Sequence, residues 1–213
     1  TGYEGVRVFD VTNASAPKFI DMIQTACGSH THTLVPDGNR AFLYVSSYPL
    51  RPGPTCGDTE YDNRRNPYDG DPALPANPLH GVIQVVEVPL DDPAASEEIA
   101  QPEISYPGDP DGSKEWCERG GTLCPPDFEP GAIACHDIVV HVKPGLAEGA
   151  CAEQGQVWRI GKGGIPDTAN PITIGDDKVS SGGTGQIPGA VDFFHSVLFN
   201  NHGTVVNWVV VSF

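Results

Sequence analysis

A short stretch recurs three times along this chain: His32-Thr-Leu-Val35, His136-Asp-Ile-Val139 and His195-Ser-Val-Leu198. Each copy is a histidine, a small polar residue, then β-branched or aliphatic residues. Each leads to a glycine-bearing turn, at Gly38, Gly145 or Gly203. β-Branched side chains suit the pleated surface of a sheet better than a helix, so every copy predicts a strand that turns back on itself. The returning strand is plain in two copies, Ala41-Phe-Leu-Tyr-Val45 and Val205-Val-Asn-Trp-Val-Val-Val211. A histidine entering the same strand of a repeated unit predicts that several imidazoles meet in space.

A second repeated pair lies between the histidine hairpins. Gly5-Val-Arg-Val-Phe-Asp-Val11 alternates as a half-buried strand does, Gly81–Val88 repeats it, and Gln156–Ile160 is a third copy. Turns rich in Asn, Asp and Pro follow at 12–17, 89–93 and 165–171, where such residues satisfy their own backbone and end the pairing. Further strands come next at 19–23, 97–106 and 172–174. With the histidine strand called A, its partner B, and this pair C and D, the chain reads C-D, A-B-C-D, A-B-C-D, A-B. Repeats of four antiparallel strands are the signature of propeller blades. The fold class expected is therefore all-β, a single domain over 1–213 with blades of four antiparallel strands. Three insertions interrupt it, at 47–80, 107–134 and 175–190.

Two whole blades and two halves make about three blade equivalents, fewer than the ~4–8 of a closed ring. The domain is thus expected to be a partial ring. It would be completed by the rest of a propeller or by a second copy sharing half-blades in a six-bladed ring.

Composition supports strands and narrows the partners. The chain has 25 Gly and 21 Pro among 213 residues and a single Met, a poor recipe for helices. The formal charge is −16, from 28 acidic against 12 basic residues. No basic face is available for nucleic-acid phosphates or an anionic membrane surface, and no apolar run approaches the ~20 residues of a membrane helix. The first residues, Thr1-Gly-Tyr-Glu-Gly5, carry no signal-peptide pattern. The partner expected is a protein or a small-molecule ligand.

Six cysteines stand at Cys27, Cys56, Cys117, Cys124, Cys135 and Cys151. No Cys-x-x-Cys occurs and the spacings match no zinc ribbon or finger. Fifteen pairings are possible. Nearest-neighbour stapling, Cys27–Cys56, Cys117–Cys124 and Cys135–Cys151, would tie each excursion or strand entrance to its own unit, with free buried thiols as the alternative. Stapling implies an oxidising, extracellular or cell-surface location.

The strand C motif Val6-Arg-Val-Phe-Asp10 with its turn Thr12–Pro17, and the strand A motif His136-Asp-Ile-Val139, resemble the repeat of the bacterial β-propellers named for Leu-Val-Ile-Val-Asp. The resemblance covers most of the chain apart from the insertions. It departs at Arg159, where an acid is expected, and at Asn207-Trp208 in the last strand. It implies a secreted propeller and no defined activity.

In a propeller the first strand of each blade lines the axis. His32, His136 and His195 therefore align around it, with His30 on the face of His32 by the two-residue alternation. Such imidazoles could hold Zn, Fe or Cu. They could equally bond the neighbouring blade's backbone and fix its register. Asp137 alternates away from His136. The acids at Asp58, Glu60, Asp62, Asp69 and Asp71 lack the glycine and terminal glutamate of an EF-hand, which leaves a loop calcium site as a minor alternative. Gly-x-Ser-x-Gly is absent, and Gly161-Lys-Gly-Gly164 lacks the pattern of a phosphate loop. The function expected is a binding or scaffold module acting through its insertions. The alternative is a metal-dependent, oxidoreductase-like enzyme with a transition metal on the axis.

Overall fold

Short alternating runs separated by Gly, Asn and Pro turns produce strands throughout, and among the described residues there is no α-helix. The computed structural model describes residues 5–25, 28–46, 81–104, 135–151, 154–175, 193–200, 202 and 204–211. The strands are β1 (Gly5–Asp10), β2 (Lys18–Gln24), β3 (Thr31–Asp37), β4 (Arg40–Ser46), β5 (Gln84–Pro89), β6 (Glu97–Ala100), β7 (Asp137–His141), β8 (Leu146–Cys151), β9 (Gln154–Arg159), β10 (Ile172–Gly175), β11 (Phe193–Phe199) and β12 (Val206–Val211). They form two four-stranded antiparallel sheets, β3-β4-β5-β6 and β7-β8-β9-β10, and two hairpins, β1–β2 and β11–β12. These are partial propeller blades in the expected order. Gly38 and Gly145 adopt positive φ, 62° and 67°, in the predicted A–B turns, a conformation that glycine takes without steric cost.

Among the described residues of the run 97–106, which reach to Ile104, β6 spans only Glu97–Ala100. Pro102 cannot donate to a ladder, and beyond Ala100 only a single bridge, Val82 to Glu103, continues the pairing. Most of the three insertions, and Cys27, Cys56, Cys117 and Cys124, lie outside the described residues. The expected pair Cys135–Cys151 is a disulfide.

The core lies in the joints between sheets. Phe42, Tyr44, Ile83 and Val85 of the first sheet pack against Ile138, Ala147 and Trp158 of the second, all buried. Tyr44 Oη donates to the carbonyl of Gly164 at 2.5 Å. On the other face of the first sheet, Val45 and Val86 meet Val6 and Ile23 of the β1–β2 hairpin. On the other face of the second sheet, Ala150 and Val139 meet Phe194, Val197 and Trp208 of β11–β12. Elements that follow one another in sequence thus stack side by side.

Antiparallel connectivity sorts the connections by end. A–B and C–D turns fall at one end of the strands. B–C connections and passages to the next blade fall at the other. All three insertions join the described strands at this second end: after β4, after β6 and after β10. Cys135, Cys151 and the starts of the A strands lie at this end as well.

Candidate functional site: the histidine row at the insertion end

Strands β3, β7 and β11 are the A strands, and they lie next to one another because their sheets stack. Thr31 Oγ1 donates to the carbonyl of His136 at 2.9 Å. Thr33 Oγ1 donates to the carbonyl of Ile138, and Ser46 Oγ to that of Cys135. One strand further on, the Val197 N–H donates to Asp137 Oδ2 at 3.3 Å. The small polar residue after each histidine therefore has a structural use. At β3 and β7 it joins its strand to the backbone of the next sheet; at Ser196 the hydroxyl lies 2.9 Å from the Nδ1 of His195 itself.

The imidazoles that meet are His30, His136 and His195. His30 Nε2 lies 3.0 Å from His136 Nε2, with the ring centroids 4.5 Å apart. His136 Nδ1 lies 2.7 Å from the carbonyl oxygen of His195, and those two rings are 4.1 Å apart. A carbonyl only accepts, so His136 Nδ1 carries a proton. In neutral His136 the Nε2 lone pair then faces His30, whose Nε2–H donates to it. Burial, followed by the neighbouring charge of His195, holds His30 below the usual histidine range, with Asp137 opposing. For His136 the causes are burial, then the charges of His195 and His30, opposed by the bond to the His195 carbonyl and by Asp137. Both rings are thus held toward the neutral form.

His195 arrives by a different device. The β11–β12 register shifts between Phe194 and Ser196, leaving His195 unopposed. A bulge of this kind re-aims a side chain.

His32 is not in the row. Thr31 and Thr33 face β7, so alternation turns His32 to the other face of β3, where it is exposed with its Nδ1 3.4 Å from Ser29 Oγ. The expectation that His30 shares that face fails because His30 sits in the bend before β3, outside the pleat. The run His30-Thr-His-Thr33 contains the repeated motif twice, and the second reading is the wrong frame. Distance to the turn glycine distinguishes them. His30 precedes Gly38 by eight residues, His195 precedes Gly203 by eight and His136 precedes Gly145 by nine, whereas His32 precedes Gly38 by six.

Among the described residues, no group of three or more His, Cys, Asp or Glu side chains is placed to hold a metal ion. His30 Nε2 and His136 Nε2 are spaced as adjacent ligands of one ion are. His136 also donates its other ring nitrogen to a carbonyl, as metal-bound histidines do. The calcium alternative at 58–71 falls outside the described residues, as does His80.

A buried acid escaped the sequence reading. Glu148 of β8 is fully buried, and burial pushes its carboxyl up to about 8. Among the described residues neither carboxyl oxygen has a hydrogen-bond partner, and the same holds for Trp208 Nε1. Its neighbours Ala147 and Gly149 face the first joint, so Glu148 shares the face of Ala150 and points into the joint with β11–β12. A lone acid in the run Leu146-Ala-Glu-Gly-Ala150 was the available signal.

No known protein-family model matches the chain, and neither a curated protein nor a solved structure does. No helix among the described residues is long and apolar enough to cross a membrane.

Proposed function

We propose that the chain is a binding module of a secreted or cell-surface β-propeller, of the kind named for the Leu-Val-Ile-Val-Asp repeat, and that its recognition face is the insertion end of the strands. One observation carries this reading. The three long insertions join the strands at the same end as the histidine row and the Cys135–Cys151 disulfide, while the connections at the opposite end between described strands span at most twelve residues, 160–171. Long loops on a rigid sheet scaffold are where binding residues concentrate. Disulfides that restrain them, as Cys135–Cys151 restrains the entrance to β7, reduce the ordering cost of binding. The partner is an extracellular protein or small molecule.

The test replaces 47–80, 107–134 and 175–190 with short Gly-Ser linkers in a chain shown by circular dichroism to keep its strands. The trimmed protein should lose retention of the extracellular component that the intact protein retains. Leu90→Ser, in a turn at the opposite end, should retain it. Equal retention by the trimmed chain would refute the reading.

The His30–His136 nitrogen separation of 3.0 Å favours a second reading, a metal-dependent enzyme with Zn, Fe or Cu at the row. Under that reading purified protein contains stoichiometric metal that is lost in His30→Ala and His136→Ala and kept in His32→Ala. The binding-module reading predicts that none of the three variants changes the metal content.

A further inference from the structure

The second sheet makes two joints, and they are not equally packed. Its joint with the first sheet buries large side chains from both sides, Phe42, Tyr44, Ile83, Ile138 and Trp158 among them. In its joint with the β11–β12 hairpin the buried apolar residues are Ala150, Phe194 and Val197, with Val139, Val206 and Trp208 only partly buried around them. Burial of apolar surface is what holds such joints closed. The hairpin is therefore held less firmly than the two sheets hold each other.

An acid stands inside this weaker joint. Glu148 is fully buried, lies opposite Val139 of β7 and Val157 of β9, and has Trp208 over the neighbouring Gly155. The titratable side chains on the strands around it are Asp137, His141, Arg159 and His195. Asp137 accepts from the Val197 N–H, and His141 lies against the ring of Phe199. Arg159 is on the Glu148 face of β9 but exposed, and His195 stacks on His136. Strand β12 carries no titratable residue. Among the described residues none of these groups bonds to the Glu148 carboxyl, and the buried Nε1 of Trp208 also goes unbonded. A neutral carboxyl is tolerated in such a site at modest cost, whereas an unpaired carboxylate is not.

We infer that the β11–β12 hairpin is a switched element, docked on the second sheet while Glu148 holds its proton and released when that carboxyl ionises. Release brings water to the carboxylate and to Trp208 Nε1, so the open form is the one that accommodates the charge. It also withdraws the His195 carbonyl from His136 Nδ1, 2.7 Å away when docked. The histidine row is thus complete only in the closed form. Burial pushes the docked carboxyl up to about 8 from an ordinary 4.5. Between those values the docked form keeps a proton that the open form has lost, so docking weakens as pH rises, by up to about tenfold per pH unit. Above the upper value both forms are ionised and docking weakens no further. The switch would regulate the end assigned above to recognition, but it follows from the joint itself, whatever that end binds.

Amide hydrogen exchange on the 213-residue chain, followed by nuclear magnetic resonance from about pH 5 to 8 and corrected for the intrinsic exchange rate, tests this without a ligand. An isolated two-stranded hairpin is marginal in water, so release should expose its amides to exchange. Protection of the bonded amides of β11 and β12 should lie below that of β4 and β5 throughout. It should fall by more than about tenfold across the range in the parent and stay level in Glu148→Gln. Glu148→Met, of similar length and without a charge, repeats the comparison if the amide variant does not fold. Protection of β11 and β12 equal to that of β4 and β5 would mean that the joint opens only when the whole chain unfolds, and would overturn the inference. So would a fall of the same size in the uncharged variant, or no fall in the parent. A Trp208 Nε1 proton that becomes protected as pH rises would overturn it too, because the carboxylate would then be bonded inside a closed joint.

Discussion

The joint between the two complete sheets and the joint between the second sheet and the β11–β12 hairpin use the same packing device. In each, an indole lies against a glycine that leaves it room. A Cβ on Gly149 would meet the ring of Trp158 at 2.3 Å, and one on Gly155 would meet that of Trp208 at 2.7 Å. The polar groups are handled differently. Trp158 Nε1 donates to Gln156 Oε1 at 2.9 Å, and Thr31, Thr33 and Ser46 join the first joint to the next backbone. In the second joint Trp208 Nε1 and both oxygens of Glu148 have no partner among the described residues. Repetition has copied the shape of the joint without copying the bond that satisfies its indole. The indole of the first joint is therefore satisfied, while the second joint holds the carboxyl that responds to rising pH.

Five changes would sharpen or break that contrast. The largest effect belongs to Trp158→Ala, which empties the first joint and should cost ~3–5 kcal/mol in chemical denaturation. Trp208→Ala, partly exposed and unbonded, should cost clearly less, and equal losses would erase the distinction. Replacing Cys135 and Cys151 together by Ser opens a bridge across 16 residues beside Trp158 and should cost about 3 kcal/mol.

Glu148→Gln should act in the opposite direction. The folded carboxyl titrates near 8 against an ordinary 4.5. Between those values the unfolded chain has released a proton that the folded chain keeps, so stability falls as pH rises through the window. The amide cannot ionise, so the variant should be more stable than the parent by roughly 2 kcal/mol at pH 9, with little difference at pH 4. That is less than the whole shift implies, because the amide is also left unbonded. The histidine row runs the other way. His30 and His136 are held below their usual 6.5, so their contribution is full above that value and is lost as pH falls. Smallest is Thr31→Val, which removes one bond to the His136 carbonyl and should cost about 1 kcal/mol, measured by the same denaturation.

The order of strands was legible because turn residues and alternation are local. The repeat made blades recognisable even though individual motifs, such as the one carrying Arg159, are irregular. Cys135–Cys151 was legible as a strand entrance tied to its neighbouring strand. Two of the three row histidines, His136 and His195, were found for the same reason. His30 entered the sequence reading only as a companion of His32 on one face, because alternation was extended one residue past the start of β3 and because His30-Thr31 and His32-Thr33 spell the same motif. Glu148 and Trp208 were illegible for a different cause. Whether a buried polar group finds a partner depends on which sheet face meets which hairpin, and that is fixed only when the blades stack.

The membership of the row is tested most directly by following the imidazole resonances of His136 by nuclear magnetic resonance as pH is varied, in the parent, His30→Ala and His32→Ala. A row of His30, His136 and His195 predicts a His136 midpoint below 6.5 in the parent, a rise toward it in His30→Ala, and no change in His32→Ala. A midpoint that moves in His32→Ala and stays in place in His30→Ala would contradict it.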